Sequence, residues 1–310
     1  MIVSASRRTD IPCCYAEWFM KRIREGYALT RNPMNHAQLS RVPLTPDVVD
    51  CIVFWTKDAA NLMPYLDELD ALGYRYYFQF TLTPYGNDLE RNLRPKSEIE
   101  ECFRALSNRI GRERVVWRYD PIILNDTLTA AYHKAEFQRL CGRLSAFTDT
   151  VVISFVDLYA KLKRQADRGG TVIRPASGGE TAELAGYIGR TAAEYGLHAA
   201  ACCEMGDLTQ YGIVRSSCID RKRIEKICGC ALDIGTDNNQ RKGCGCAQSV
   251  DIGAYNTCRN GCIYCYANDS RRARGLCRPE SALLAGEIAV GEKIADKKVK
   301  SNRQEQITLF

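Results

Sequence analysis

The sequence predicts an α/β protein, a partial parallel β/α barrel of TIM-like build followed by a cysteine-rich C-terminal region. Three observations carry that expectation. Short apolar runs alternate with amphipathic helical stripes across residues 1–203, polar side chains gather just after the apolar runs, and 11 of the 16 cysteines lie between Cys202 and Cys277.

The strand candidates are IVSAS (2–6), CIVFWT (51–56), RYYFQFTLT (75–83), RVVWRY (114–119), TVVISFV (150–156) and LHAAAC (197–202), each short, apolar and bounded by polar residues. Between them, residues 97–110 give the clearest helix. Ile99, Cys102, Phe103, Leu106 and Ile110 form one apolar stripe, Ser97 and Glu100 have capping-box spacing, and Gly111 is placed to end it. Leu62, Leu66, Leu69 and Leu72 make a second stripe, and Phe137, Leu140, Cys141 and Leu144 a third. A further helix is expected over 181–195, so the SGGE before it (177–180) reads as a loop and helix start rather than a cofactor-binding turn. Strands alternating with helices imply βαβ units and a parallel sheet covered by helices. No G-x-G-x-x-G follows the first strand, which argues against a dinucleotide-binding version. The expected division is a barrel core over 1–203 and a metal-binding region over 204–310, whose strand at 249–257 is placed to complete the barrel.

Composition limits the function classes. Hydrophobic residues make up 45% and charged residues 26%, the balance of an ordinary globular chain. No run approaches the ~18 consecutive apolar residues of a membrane span. MIVSASRRTD turns polar too early for a secretory leader, so a cytoplasmic location without a membrane partner is expected. There, crowded cysteines point to metal binding or catalysis rather than disulfides. Cys13, Cys14, Cys51, Cys102 and Cys141 read as buried small apolar residues, and neither Cys13 nor Cys14 has a neighbour that would mark a nucleophile. The later eleven are too dense for the same account. With only His36, His133 and His198 present, a hydrolase built on several metal-bound histidines is unsupported, and His133 reads as a partly buried helical side chain. The net charge of +6 does not by itself argue for nucleic acid. From Arg271 to Arg303, nine basic residues face four acidic ones, which reads as a solvated tail, with a phosphate- or partner-facing patch as the alternative.

Ligands of parallel α/β folds bind at the carboxyl ends of the strands, and the charges fall there. Arg7, Arg8 and Asp10 follow the first strand, Lys57 follows the second, Thr81 and Thr83 close the third, Arg118 and Asp120 close the fourth, and Asp157 closes the fifth. Each alone can be a surface charge, and Asp10 and Asp58 also suit helix capping. Together they predict one convergent site. Arg7 or Arg118 is suited to grip a carboxylate or phosphate bidentately, and Asp120, Asp157 or Lys57 to fix a substrate or move a proton.

Near the C-terminus, YNTCRNGCIYCYAN (255–268) has C-x3-C-x2-C spacing, with Tyr264 directly before the third cysteine. Three thiolates from one short loop can hold three corners of a cluster and leave one metal without a protein ligand, whereas structural zinc and four-cysteine iron–sulfur sites each want a fourth. Upstream, Cys202, Cys218, Cys230, Cys244 and Cys246 are candidates for a second metal, an auxiliary iron–sulfur cluster or a zinc ion, with Cys203 and Cys228 in reserve. Their irregular separations leave a set of buried or free thiols as the alternative.

Cys258, Cys262, Tyr264 and Cys265 resemble the C-x3-C-x-aromatic-C motif of radical S-adenosylmethionine enzymes. The resemblance implies a [4Fe-4S] cluster on the three cysteines, S-adenosylmethionine chelated at its open iron with Tyr264 near the adenine, and a low-potential electron donor of flavodoxin or ferredoxin type. It also implies a 5′-deoxyadenosyl radical that abstracts hydrogen from a substrate. On that reading Arg8, Thr81 and Asp157 join Tyr264 as cofactor-binding candidates, and Arg7, Asp10, Lys57, Arg118 and Asp120 are the catalytic candidates. The superfamily usually carries the motif after its first barrel strand, whereas here it begins at residue 258 of 310. A strand at 249–257 paired beside IVSAS would make the chain a circular permutation of the radical SAM barrel, with the cysteine loop facing those charges.

Over nearly its whole length the chain also resembles domain of unknown function family 1848, through SASRRTDIP (4–12), FWTK (54–57), FQFTLT (78–83), WRYDPI (117–122), CID (218–220), CGC (244–246) and DIGAYNTCRNGCIYCYAN (251–268). That resemblance implies a C-terminal radical-SAM-like cluster and no particular reaction. The alternative function is a non-catalytic iron–sulfur or zinc protein, a redox sensor or nucleic-acid-associated factor, for which Cys246 or Cys277 would be the fourth ligand.

Overall fold

Side chains that alternate between two buried faces build the sheet at the centre of the chain. The structure is a computed structural model describing residues 1–158, 162, 172–202, 206–241, 243–268 and 278–304. In chain order its elements are β1 (Ile2–Ala5), α1 (Ile11–Cys14), α2 (Ala16–Glu25), β2 (Tyr27–Arg31), β3 (Leu39–Pro43), β4 (Cys51–Thr56), α3 (Leu66–Ala71), β5 (Tyr76–Thr81), α4 (Lys96–Ile110), β6 (Val115–Ile122), α5 (Ala130–Leu144), β7 (Thr150–Phe155), α6 (Gly178–Glu194), β8 (His198–Ala201), β9 (Val214–Arg215), α7 (Arg221–Cys228), β10 (Val250–Asp251) and β11 (Ile294–Asp296). Eight strands form a parallel sheet in the order β10-β1-β4-β5-β6-β7-β8-β9. Strands β4 to β8 are neighbours in chain order with helices between them, the succession found in a β/α barrel. Among the described residues β9 and β10, at the two edges, do not pair with each other.

One face is apolar along its length. Val3, Phe54, Tyr76, Phe78, Phe80, Trp117, Tyr119 and Ile153 are buried beneath the helices. Edge-to-face ring contacts fix helices to strands at Phe19–Phe54, Phe80–Phe103 and Tyr119–Phe137. Each such side chain contributes about 1.5–3 kcal/mol relative to exposure. The other face changes along the strands. Ile2, Cys51, Val53, Tyr77, Val116, Val152 and Ala200 pack on Cys218, Ile219, Ile224, Leu232, Cys246 and Ala247, so residues from 218–232 and 246–247 cover this face. Two residues further along, the same rows become Ser4, Trp55, Gln79, Arg118, Ser154 and Cys202. Since a strand places i and i+2 on one side, the step from apolar base to polar upper end is written into each strand.

Several expectations need correction. Helix α4 begins after Pro95, with no side-chain cap. Glu100 is buried and instead takes Arg139 Nη1 at 2.9 Å and Arg143 from α5. The capping box belongs to α6: Ser177 Oγ accepts from the Glu180 N–H at 3.2 Å and Glu180 Oε2 from the Ser177 N–H at 2.9 Å, so the helix starts at Gly178 rather than residue 181. Leu72 lies just past α3 and is exposed. Of the expected strand 249–257 only Val250–Asp251 forms one, paired with Val3 and Ser4. A small second sheet, β11-β3-β2, was not expected. It includes part of the basic tail, and Arg303 Nη2 donates to the carbonyls of Val49 (2.9 Å) and Asp50 (3.1 Å), so this stretch is tied to the body. Arg271, Arg272, Arg274, Cys203 and Cys277 lie outside the described residues. Among those described, no helix is long and apolar enough to cross a membrane.

A cysteine-lined cleft at the carboxyl ends of the strands

The loops that leave β1, β4, β6, β7 and β10 open into one cleft of about 860 Å³. Arg7, Arg8, Asp10, Lys57, Thr81, Arg118, Asp120 and Asp157 line it, with Tyr264 and Cys258, Cys262 and Cys265. Cys202, Cys218, Cys244 and Cys246 line it as well, but Cys230 does not. Cys230 follows α7 beside Cys228, whose Sγ reaches the Asp50 carbonyl at 3.3 Å, at the amino end of β4. The five cysteines grouped from sequence therefore divide into four and one.

Docking of β10 on β1 positions the three-cysteine loop. Asp251 accepts from Ser4 Oγ (2.9 Å), Ser6 Oγ (2.7 Å), the Arg7 N–H (2.9 Å) and the Gly253 N–H (3.0 Å). The approach is close enough that a Cβ on Gly253 would fall 2.0 Å from Ser6 Oγ. Asn260, buried between the first two cysteines, donates to Asp10 at 2.9 Å and accepts from the thiols of Cys13 (3.3 Å) and Cys14 (3.5 Å). On the loop's far side Asn92 Nδ2 donates to the Arg259 carbonyl at 2.7 Å, and the Ile263 N–H to the Leu89 carbonyl at 3.0 Å.

The charges at the strand ends are mostly held by one another. Asp10 caps α1, accepting from the N–H groups of Cys13 (3.0 Å) and Lys57 (2.8 Å), and burial lifts its carboxyl to about 6. The capping role weighed for it from sequence is the one its geometry shows. Arg118 is engaged all round: Nε with Asp120 at 2.9 Å, Nη2 with Asp120 again, and Nη1 with Gln79 Oε1 at 3.2 Å and Cys218 Sγ at 3.1 Å. Asp120 also takes Ser154. Asp157 pairs with Arg241 at 2.9 Å. Arg8 lies over the Tyr255 ring at 5.3 Å, and Thr81 ends β5 half-buried. Arg7 differs. Its guanidinium stacks over Trp55 at 5.4 Å, and its Nη2 is buried without a hydrogen-bond partner.

Lys57 leads to a residue that the sequence did not single out. Glu90 is 1% exposed and takes Lys57 Nζ (2.8 Å), Thr83 Oγ1 (2.8 Å), Lys96 Nζ and the Tyr264 hydroxyl. Burial pushes its carboxyl up, but the two ammonium groups outweigh that and hold it down at about 2. Lys57 is raised: its own burial opposes this, and Glu90 prevails. Glu90 sits in GNDLERNLRPK, which has the texture of a surface loop. Asn260 and Asp251, by contrast, lie inside or beside the cysteine motif.

The thiols fall into two groups. In the loop, the Cys14 hydrogen bond and burial push Cys258 up, and burial raises Cys262 against the pull of Lys57. In the other group Cys202 Sγ and Cys218 Sγ stand 3.1 Å apart, and the Ile219 N–H donates to Cys246 Sγ at 3.4 Å. Hydrogen bonding from Cys218, with Arg7 nearby, lowers Cys246 despite its burial. Among the described residues no three His, Cys, Asp or Glu side chains stand ready to hold a single metal ion.

Fold and site define a parallel α/β protein whose strand-end cleft is lined by seven cysteines among interlocked charges. The chain belongs to the family described as Domain of unknown function (DUF1848), which matches residues 2–267, from the first strand to just past Cys265. One solved structure found similar is titled "Crystal structure of a putative alpha-L-fucosidase from Bacteroides thetaiotaomicron", at 11% identity over 67% of this chain and 76% of that one. Its TM-score of 0.26 is too low to carry an argument. No curated protein matches.

Proposed function

We propose that this chain is an iron–sulfur enzyme of radical S-adenosylmethionine type, with Cys258, Cys262 and Cys265 as ligands of a [4Fe-4S] cluster. The observation that supports this most is the placement of the three thiols, all from one docked loop and all lining the strand-end cleft. Their chemistry fits, since three soft donors on one short loop suit a cluster with an open corner. When bound, the cluster would supply an electron, drawn from a flavodoxin- or ferredoxin-type donor, for reductive cleavage of S-adenosylmethionine. The chain's own residues set the stage for this. Glu90 fixes the Tyr264 hydroxyl and holds Lys57 beside Cys262, where its ammonium offsets thiolate charge. Arg7, stacked on Trp55 with one buried N–H group unpaired, is a fixed donor for a carboxylate or phosphate of the cofactor or substrate. Anaerobic reconstitution with iron, sulfide, reductant and S-adenosylmethionine should yield 5′-deoxyadenosine, and Cys262→Ala should lose cluster and product together. A cluster-loaded protein that releases no 5′-deoxyadenosine overturns the assignment.

One observation favours a second reading. The Cys14 thiol lies within hydrogen-bonding reach of Cys258, so α1 offers a fourth thiolate to the loop. A closed four-thiolate centre suits a non-catalytic redox or nucleic-acid-associated role. Cys246, one fourth ligand considered from sequence, keeps company with Cys218 instead. The reduced cluster's electron paramagnetic resonance spectrum separates the two. A shift on adding S-adenosylmethionine supports the enzyme, and no shift together with cluster loss in Cys14→Ala supports the closed centre.

A further inference from the structure

We infer that Cys202, Cys218, Cys244 and Cys246 form a second thiolate centre in the same cleft, binding a soft metal as a zinc ion or an iron–sulfur cluster, with Arg7 as a counter-charge and Arg118 as an N–H donor to Cys218. Nothing in this depends on the role of the Cys258–Cys265 loop. Three separate stretches of chain bring the four thiols to one wall of the cleft, short of a single metal's reach as they stand: Cys202 directly after β8, Cys218 just before the Asp220 cap of α7, and the Cys244-Gly245-Cys246 stretch. Two bonds lock the second stretch to the third, from the Ile219 N–H to Cys246 Sγ (3.4 Å) and from the Ala247 N–H to the Ile219 carbonyl (3.0 Å). The third stretch presses on its neighbour so closely that a Cβ on Gly245 would meet Ser217 Oγ at 2.7 Å. Cys202 Sγ then touches Cys218 Sγ at 3.1 Å.

Charge supplies the independent argument. Arg118, 5% exposed, points Nη1 at Cys218 Sγ from 3.1 Å. Arg7 approaches Cys246, and among the described residues its guanidinium has no carboxylate within ion-pair distance. Asp251 acts on it only from beyond that distance, so the charge of this largely buried cation is met in part, which is costly. Four thiolates around a divalent ion carry two negative charges, which Arg7 offsets in part, while Arg118, already paired with Asp120, adds an N–H donor to Cys218. Hydrogen bonds from N–H donors to ligand sulfurs are also a standard means of tuning such centres. The Cys202–Cys218 contact is shorter than the ~3.8 Å between sulfurs around a tetrahedral ion with 2.3 Å bonds. Metal binding therefore requires these side chains to rotate apart.

The test uses full-length protein carrying Cys258→Ala, Cys262→Ala and Cys265→Ala, purified without oxygen, so that only the second centre can hold metal. Elemental analysis should find bound metal. Zinc would be colourless and, on cobalt replacement, give a thiolate charge-transfer band, whereas a cluster would show iron with matching sulfide and a visible absorption. Adding Cys244→Ala, a half-exposed position that leaves the core intact, should abolish the metal at unchanged circular dichroism. Arg118→Lys should weaken metal retention by about 10–100-fold, as loss of an outer-sphere partner does. A metal-free starting protein, metal content indifferent to Cys244→Ala, or a Cys202–Cys218 disulfide in its place would each overturn the proposal. None of those results bears on the loop, whose assignment stands or falls on 5′-deoxyadenosine formation.

Discussion

Glu90 makes the sharpest residue-scale prediction because it is a buried carboxylate shared by two ammonium groups, with Lys57 raised by it while burial keeps Lys96 lowered. Removing the charge in Glu90→Gln leaves both cations buried beside a neutral amide, at a cost of about 3–5 kcal/mol. Urea denaturation should show that loss, and Lys57→Met in the same chain should recover part of it. The folded-state value near 2 lies below the ordinary 4.5 of a glutamate, so the stabilisation is complete above 4.5 and vanishes as pH falls through 2. The variant's stability should be flatter than the parent's across that window, and parallel curves would refute the ion cluster. Cysteines were legible in the sequence because thiol chemistry restricts both residue type and spacing. Glu90 was not, because a buried acid and an exposed one have the same local sequence, and only the docking of the Ile263 strand-like stretch against Leu89 distinguishes them.

At the scale of elements, the strands were legible where two-residue alternation and aromatic content coincide, as in CIVFWT, which forms β4 over the same six residues. The β2 and β3 pair, YALTR and LSRVP, is half polar and gains its pairing from tertiary context, so no periodicity announced it. Ser97 and Glu100 had capping-box spacing, but Pro95 starts the helix two residues earlier and turns Glu100 inward toward α5. Gly189 in α6 gives the prediction at this scale. Alanine there gains up to about 1 kcal/mol of helix propensity, but its Cβ would sit 1.8 Å from the Tyr211 carbonyl oxygen, a backbone atom that cannot step aside. Gly189→Ala should therefore destabilise by about 1–3 kcal/mol or more. Gly186→Ala, whose Cβ would meet its neighbours at an ordinary 3.5 Å, should be neutral or stabilising. Thermal melting of the two variants compares them directly, and equal effects would mean that α6 does not pack on the 209–212 turn as described.

For the whole molecule, the decisive feature is that residues 250–251 pair with residues 3–4, bringing the cysteine loop beside the first strand's charges. That arrangement was expected from the motif's resemblance alone, since only two residues of 249–257 form a strand and their alternation is too short to detect. Asp251 is the fastening, because one carboxylate gathers two hydroxyls and two backbone N–H groups from the loops after β1 and β10. Asp251→Ala leaves those donors unsatisfied, and at about 1–3 kcal/mol for a buried unmade bond the docking of the loop should loosen before the β4–β8 core does. Hydrogen exchange should then show protection lost over residues 252–268 and around Ser6 and Arg7, with β5 and β6 unchanged. Asp251→Asn, which keeps an acceptor oxygen, should retain part of that protection. Uniform loss across the sheet would instead mean that the two ends of the chain are joined by the core itself, and that the cleft does not depend on this one carboxylate.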